Sequence, residues 1–145
     1  MEELYELRSY IEQGRYNDAL MLIGEMEEMS REDKLNKIRS FLDVLLLHLI
    51  KQHAEQRSTR SWEVSIRNAL RQIVRTNQRE KSRGYYLDQI GLQEAINDAY
   101  ENALDLASLE AFGGVYTALQ LAELIDEAKI KTEALHVILN TQRTE

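Results

Sequence analysis

The chain has 145 residues, 43% of them hydrophobic and 30% charged, which predicts one soluble domain able to bury a sizeable core. It contains no cysteine, and this excludes disulfides, a thiol nucleophile, zinc–thiolate sites and iron–sulfur clusters together. The net charge of −7 is unevenly spread: residues 1–56 carry a net of −5, residues 57–83 a net of +6 and residues 84–145 a net of −8.

Apolar residues recur at helical spacing almost throughout, and no long stretch alternates as a strand would. The fold class expected is therefore all-α, a single-domain bundle of five to seven helices. The first helix is predicted from about Glu2 to Gln13, with Leu4, Leu7 and Ile11 on one side and Gly14 ending it. Tyr16 to about Glu28 reads as the second. Ser30-Arg31-Glu32-Asp33 reads as the capped start of a third, running to about His53. The second half of that helix is apolar almost all round and should be the most buried element.

Thr59 to about Arg79 reads as a strongly amphipathic fourth helix. Trp62, Ile66, Ala69, Leu70 and Ile73 fall on one arc, and Arg60, Arg67, Arg71, Arg75 and Arg79 on the opposite one. Lys81 to Gly91 is predicted to be a loop. Leu92 to about Phe112 is the fifth helix, with Ala95, Ala99, Ala103 and Ala107 forming a ridge that admits a close neighbour. Gly113-Gly114 stops it, and Thr117-Ala118-Leu119-Gln120 matches a capping box for a sixth. A last helix is expected over Thr132 to about Leu139, followed by a frayed polar tail.

The arginine row is the most distinctive chemical feature. Guanidinium forks suit phosphates and carboxylates, so Arg57, Arg60, Arg67, Arg71 and Arg75 are candidate binding residues for a polyanion. The alternative is a solvated face partly neutralised by Glu94, Asp98, Glu101 and Asp105. Those four acids share one outward face opposite the alanine ridge, where nothing separates their pKa values for catalysis. His48 and His53 are five residues apart and diverge on a helix, and His136 has only Glu133 at ligand spacing, so no metal site is expected. No phosphate loop, nucleophile elbow or dinucleotide fingerprint is present. No cofactor and no enzymatic activity are expected.

The longest apolar run, Val44 to Ile50, is far short of the roughly 18–20 residues that span a bilayer. The first ten residues are acidic and polar, unlike an export signal. A cytoplasmic location and no membrane partner are therefore expected.

Val44-Leu45-Leu46-Leu47-His48-Leu49-Ile50-Lys51 resembles a block read as LLLHLLKW in a bacterial family, the domain of unknown function numbered twenty-nine. Arg57-Ser58-Thr59-Arg60-Ser61-Trp62-Glu63-Val64-Ser65-Ile66-Arg67 resembles its RSRSWRATIREQR block. Gly14-Arg15-Tyr16 and Ala99-Tyr100-Glu101-Asn102-Ala103 are similar to weaker flanking blocks. The resemblance covers about residues 4–110. Gln52 stands in place of the family's tryptophan and Leu104 in place of its arginine. It implies a helical bundle with no assigned activity. It also picks out His48, Lys51, Ser61, Trp62 and Arg67 as the motif positions, with His48, Lys51, Ser61 and Trp62 suggesting a structural latch in which His48 bonds across the turn and Trp62 packs on the leucine face.

A core over 4–112 and a C-terminal helical extension over 113–145 follow from this reading. The expected function is a non-enzymatic protein-interaction module, binding a protein partner or a second copy through the sixth and seventh helices. Nucleic-acid binding along the arginine face is the alternative.

Overall fold

Helix caps, and a sequence with no proline, decide where the elements begin and end. The computed structural model describes residues 2–79 and 84–144. Its helices are α1 (Glu2–Glu12), α2 (Tyr16–Glu55), α3 (Arg60–Asn77), α4 (Gln89–Glu110), α5 (Ala118–Ala122) and α6 (Glu127–Thr144). Among the described residues there is no strand, only an isolated antiparallel bridge between Gln78 and Tyr85. The chain divides into two compact units, Met1–Leu35 and Asn36–Glu145.

In the first unit, α1 ends in a turn that Gly14 makes possible at φ 72°. The Arg15 N–H reaches back to the Tyr10 carbonyl and the Gly14 N–H to the Ile11 carbonyl, which satisfies two carbonyls the helix leaves free. No residue of α1 is buried, and Leu4 and Ile11 are each 49% exposed. The apolar stripe of this helix is therefore real but largely uncovered. The first turns of α2 bury Ala19 and Leu22.

The predicted break between a second and third helix is absent: Tyr16–Glu55 is one helix. Ser30, Arg31, Glu32 and Asp33 are exposed helical residues rather than a cap. Nothing there forces a stop. Gly24 keeps a helical backbone, and a polar residue inside a solvated helix loses only tenths of a kcal/mol, up to ~0.7.

In the second unit the core forms where apolar faces converge. The last turns of α2 contribute Ile38, Leu42, Leu45, Leu46 and Ile50, all fully buried. Helix α3 adds Ala69 and Ile73, and α4 adds Leu92, Ile96 and the alanine ridge, each member of which is buried. Helix α6 begins five residues before its predicted start and is a central element. It packs against both α3 and α4, with Ile130, Ala134 and Ile138 fully buried. Sequence periodicity undervalued it because its apolar face is narrow and flanked by lysine, glutamate and threonine.

The caps are specific. The Thr59 hydroxyl accepts from Trp62 N–H at the start of α3, and Asp88 accepts from Gly91 N–H at the start of α4. Of the loop expected over Lys81–Gly91, residues 81–83 lie outside the described residues, 84–88 are non-helical as expected, and α4 takes over from Gln89. Helix α4 leaves through Ala111–Gly114, where Phe112, Gly113 and Gly114 take φ values of 52°, 67° and 80°. A Cβ on Gly114 would meet the Leu109 carbonyl oxygen at 2.9 Å, so glycine is required there. The Thr117 capping box forms as predicted and starts α5, which lasts only one short turn.

Candidate functional site

Two groups of side chains around α3 stand out, one paired and one unpaired. The paired group joins the end of α2, the start of α3 and the end of α4. Lys51 is buried, and its Nζ donates to Glu110 Oε1 at 2.9 Å while lying 4.6 Å from the centre of the Trp62 ring. The Arg57 guanidinium lies 4.8 Å from the same ring, and its Nε donates to Glu55 Oε1 at 2.9 Å. The other Glu55 oxygen accepts the Phe112 N–H at 3.2 Å, holding a non-glycine residue in a left-handed conformation. Burial pushes the Glu55 carboxyl up, but the bonds from Arg57 and the Phe112 N–H, with the charges of Arg57 and Lys51, outweigh it. Its pKa lies below the ordinary value.

The motif implied a latch at this connection, and the contacts found there are not the ones it implied. Trp62 is buried but lies outside the main apolar cluster, and its ring faces two cations. His48 does not bond across the turn. Its Nδ1 sits 2.8 Å from the Val44 carbonyl of its own helix, and since a carbonyl only accepts, Nδ1 carries the proton. The residues that do bridge the connection are Gln52, which donates to Ser58 Oγ at 2.8 Å, and Thr59, the cap. Ser61 is exposed. His53, set aside in the sequence, donates from Nε2 to Glu133 on α6 at 2.5 Å. His136 Nε2 accepts from Asn140, and no metal-holding cluster occurs among the described residues.

The unpaired group is the arginine row. Arg60, Arg67, Arg71 and Arg75 are exposed, and no ion pair, hydrogen bond or ring contact engages their side chains among the described residues. Arg57 does not belong with them, because Glu55 and Trp62 hold it. Glu94, Asp98, Glu101 and Asp105 are exposed on α4 and also lack side-chain partners among the described residues. No ion pair therefore joins the basic and acidic stripes among the described residues.

A third feature is apolar. Leu109, Val115 and Leu119 are 74%, 72% and 83% exposed, and Phe112, Tyr116 and Leu124 are exposed beside them in sequence. The Phe112 and Tyr116 rings meet edge to face at 5.4 Å.

Asn77 and Tyr100 are buried and carry polar groups that the sequence reading did not single out. Asn77 is fully buried: its Nδ2 donates to the Leu87 carbonyl and to Gln142 Oε1, and its Oδ1 accepts the Leu87 N–H. It fastens the segment before α4 and the end of α6 to the end of α3. A single asparagine near a predicted helix end carries no signal of this. Tyr100 is buried with its hydroxyl lacking a partner among the described residues. Burial, then the charges of Glu127 and Asp126, push its pKa up to about 12.

The described residues form an all-helical fold. Among the described residues no helix is long and apolar enough to cross a membrane. The sequence model of the family described as "Domain of unknown function DUF29" matches residues 6–135, and the chain belongs to that family. The match runs through α5 and into α6, beyond the stretch near 4–110 that carries the recognisable blocks. No curated protein and no solved structure matches the chain.

Proposed function

We propose that the protein is a non-enzymatic helical module that binds another protein through the segment from Leu109 to Leu124. The observation that carries this is the exposure of Leu109, Val115 and Leu119 on a segment whose backbone is held in place. The capping box of Thr117 and Gln120 and the Glu55–Phe112 bond fix that segment. A rigid backbone presenting large apolar side chains loses little conformational freedom when a partner covers them.

Affinity capture from host lysate tests it, with nuclease-treated and untreated halves, using the native chain and a Val115→Ser/Leu119→Ser variant. A protein that survives nuclease and is lost with the variant supports the reading. Identical capture by both chains overturns it. The variant should fold normally, because exposed substitutions of this kind shift stability by about 0.5 kcal/mol or less.

A second reading places nucleic acid on Arg60, Arg67, Arg71 and Arg75. Its support is that these guanidiniums have no partner among the described residues. It requires an affinity that falls steeply with salt and is weakened by Arg67→Glu and Arg71→Glu.

A further inference from the structure

We infer that the arginine face of α3 docks on the acidic face of α4 in a second copy of this chain. The inference rests on the interaction-module reading and shares Leu109 with that surface, but it does not use Val115 or Leu119. Both faces are exposed, and neither finds charge partners within the described chain.

Their spacing agrees. Arg60, Val64, Arg67, Arg71 and Arg75 follow one another at the same intervals as Glu94, Asp98, Glu101, Asp105 and Leu109. At about 3.6 residues per turn each set falls in an arc of about 80°. An antiparallel register sets Val64 against Leu109, and Arg67, Arg71 and Arg75 against Asp105, Glu101 and Asp98. All these pairs align to within about one residue, a rise of about 1.5 Å. Val64 and Leu109 are themselves exposed, so this register also covers apolar surface.

A second copy fits better than a polyanion. The chain carries a net charge of −7, which repels a polyanion beyond the arginine row, and a polyanion would leave the α4 acids uncovered. A second copy supplies both signs. Two copies also repel through their net charge, but at physiological salt this is screened over about 8 Å, whereas the facing pairs lie within that distance. Exposed ion pairs are individually weak, so the association should depend on concentration and salt. The contact joins unlike faces, so it gives a two-fold pair that makes it twice, a ring, or an open chain of copies where the rotation does not close.

Sedimentation velocity over a concentration series at low and high salt tests this, on the full chain before and after nuclease treatment. The native chain should self-associate, less at high salt. Arg67→Glu/Arg71→Glu and Glu101→Arg/Asp105→Arg should each weaken association by about tenfold or more. An equimolar mixture of the two variants should recover it, because the reversed faces are again complementary. That recovery also shows that both variants are folded. A native chain that stays monomeric at every concentration overturns the inference, as does a mixture that fails to recover. If only the arginine variant loses mass, and that mass disappears with nuclease, the occupant is nucleic acid and the inference is overturned. Val115→Ser/Leu119→Ser should leave self-association intact, so a failure here is separable from a failure of partner capture.

Discussion

Arg57, just before α3, and Arg67, in its middle, carry the same guanidinium into different surroundings. Arg57 is held by Glu55 and lies over Trp62, beside the buried Lys51 and its partner Glu110. Arg67 is exposed with no partner among the described residues. On one side of the helix, charge is used up inside the fold, where removing one member leaves another unsatisfied. On the other side, charge remains available to a partner. Stability and association should therefore respond to different substitutions.

The largest losses of stability should come from the fastened side. Trp62→Ala should lower unfolding free energy by about 3 kcal/mol, because it empties a large buried volume and strips two cations of their aromatic face. Trp62→Phe should recover most of that. Chemical denaturation of both variants checks the pair, and equal losses would mean that the ring's volume is irrelevant. Asn77→Ala should cost about 2–3 kcal/mol, since it leaves the Leu87 N–H and carbonyl without the bonds they make to Asn77. Hydrogen exchange at Leu87 should accelerate in that variant.

The same division explains what the sequence discloses. Amphipathic periodicity places the core faces of α3 and α4 correctly, and the capping box locates Thr117, because both signals are local. The identity of the latch members Lys51 and Trp62 is legible from the family blocks. Their partners are not: Glu110 is 59 residues from Lys51 along the chain, and Phe112 is 57 from Glu55. His48 finds its partner locally, since the carbonyl one turn back accepts from its Nδ1. The continuity of α2 through Ser30 was hidden because a good capping sequence is also a tolerable helix interior when solvent covers it.

Glu55 sharpens the comparison with a smaller effect. Its pKa is lowered in the folded protein, so its ionised form contributes stability above its ordinary value of 4.5, and that contribution fades as pH falls through the folded value. Glu55→Gln should therefore be less stable than the native chain at neutral pH, by about 1 kcal/mol, the worth of a charge-assisted hydrogen bond or less. The two chains should converge in acid. Denaturation midpoints measured from neutral pH down to below 4.5 check the sign. A difference that grows toward acid would mean that the carboxyl is not held ionised by Arg57 and the Phe112 N–H.

The smallest effect on folding should come from the free arginines. Arg67→Ala/Arg71→Ala removes two guanidiniums that the described chain does not use, so the monomer's unfolding free energy should move by about 0.5 kcal/mol or less. It must be measured at a dilution where the chain is monomeric, because any association that needs these residues would add its own concentration-dependent stability. At higher concentration the native chain should gain stability over the variant, and the gain should shrink with salt. A loss well above that bound in the dilute monomer would mean that Arg67 and Arg71 have partners inside the fold. They would then be built as Arg57 is, and the face proposed for a second copy would already be occupied.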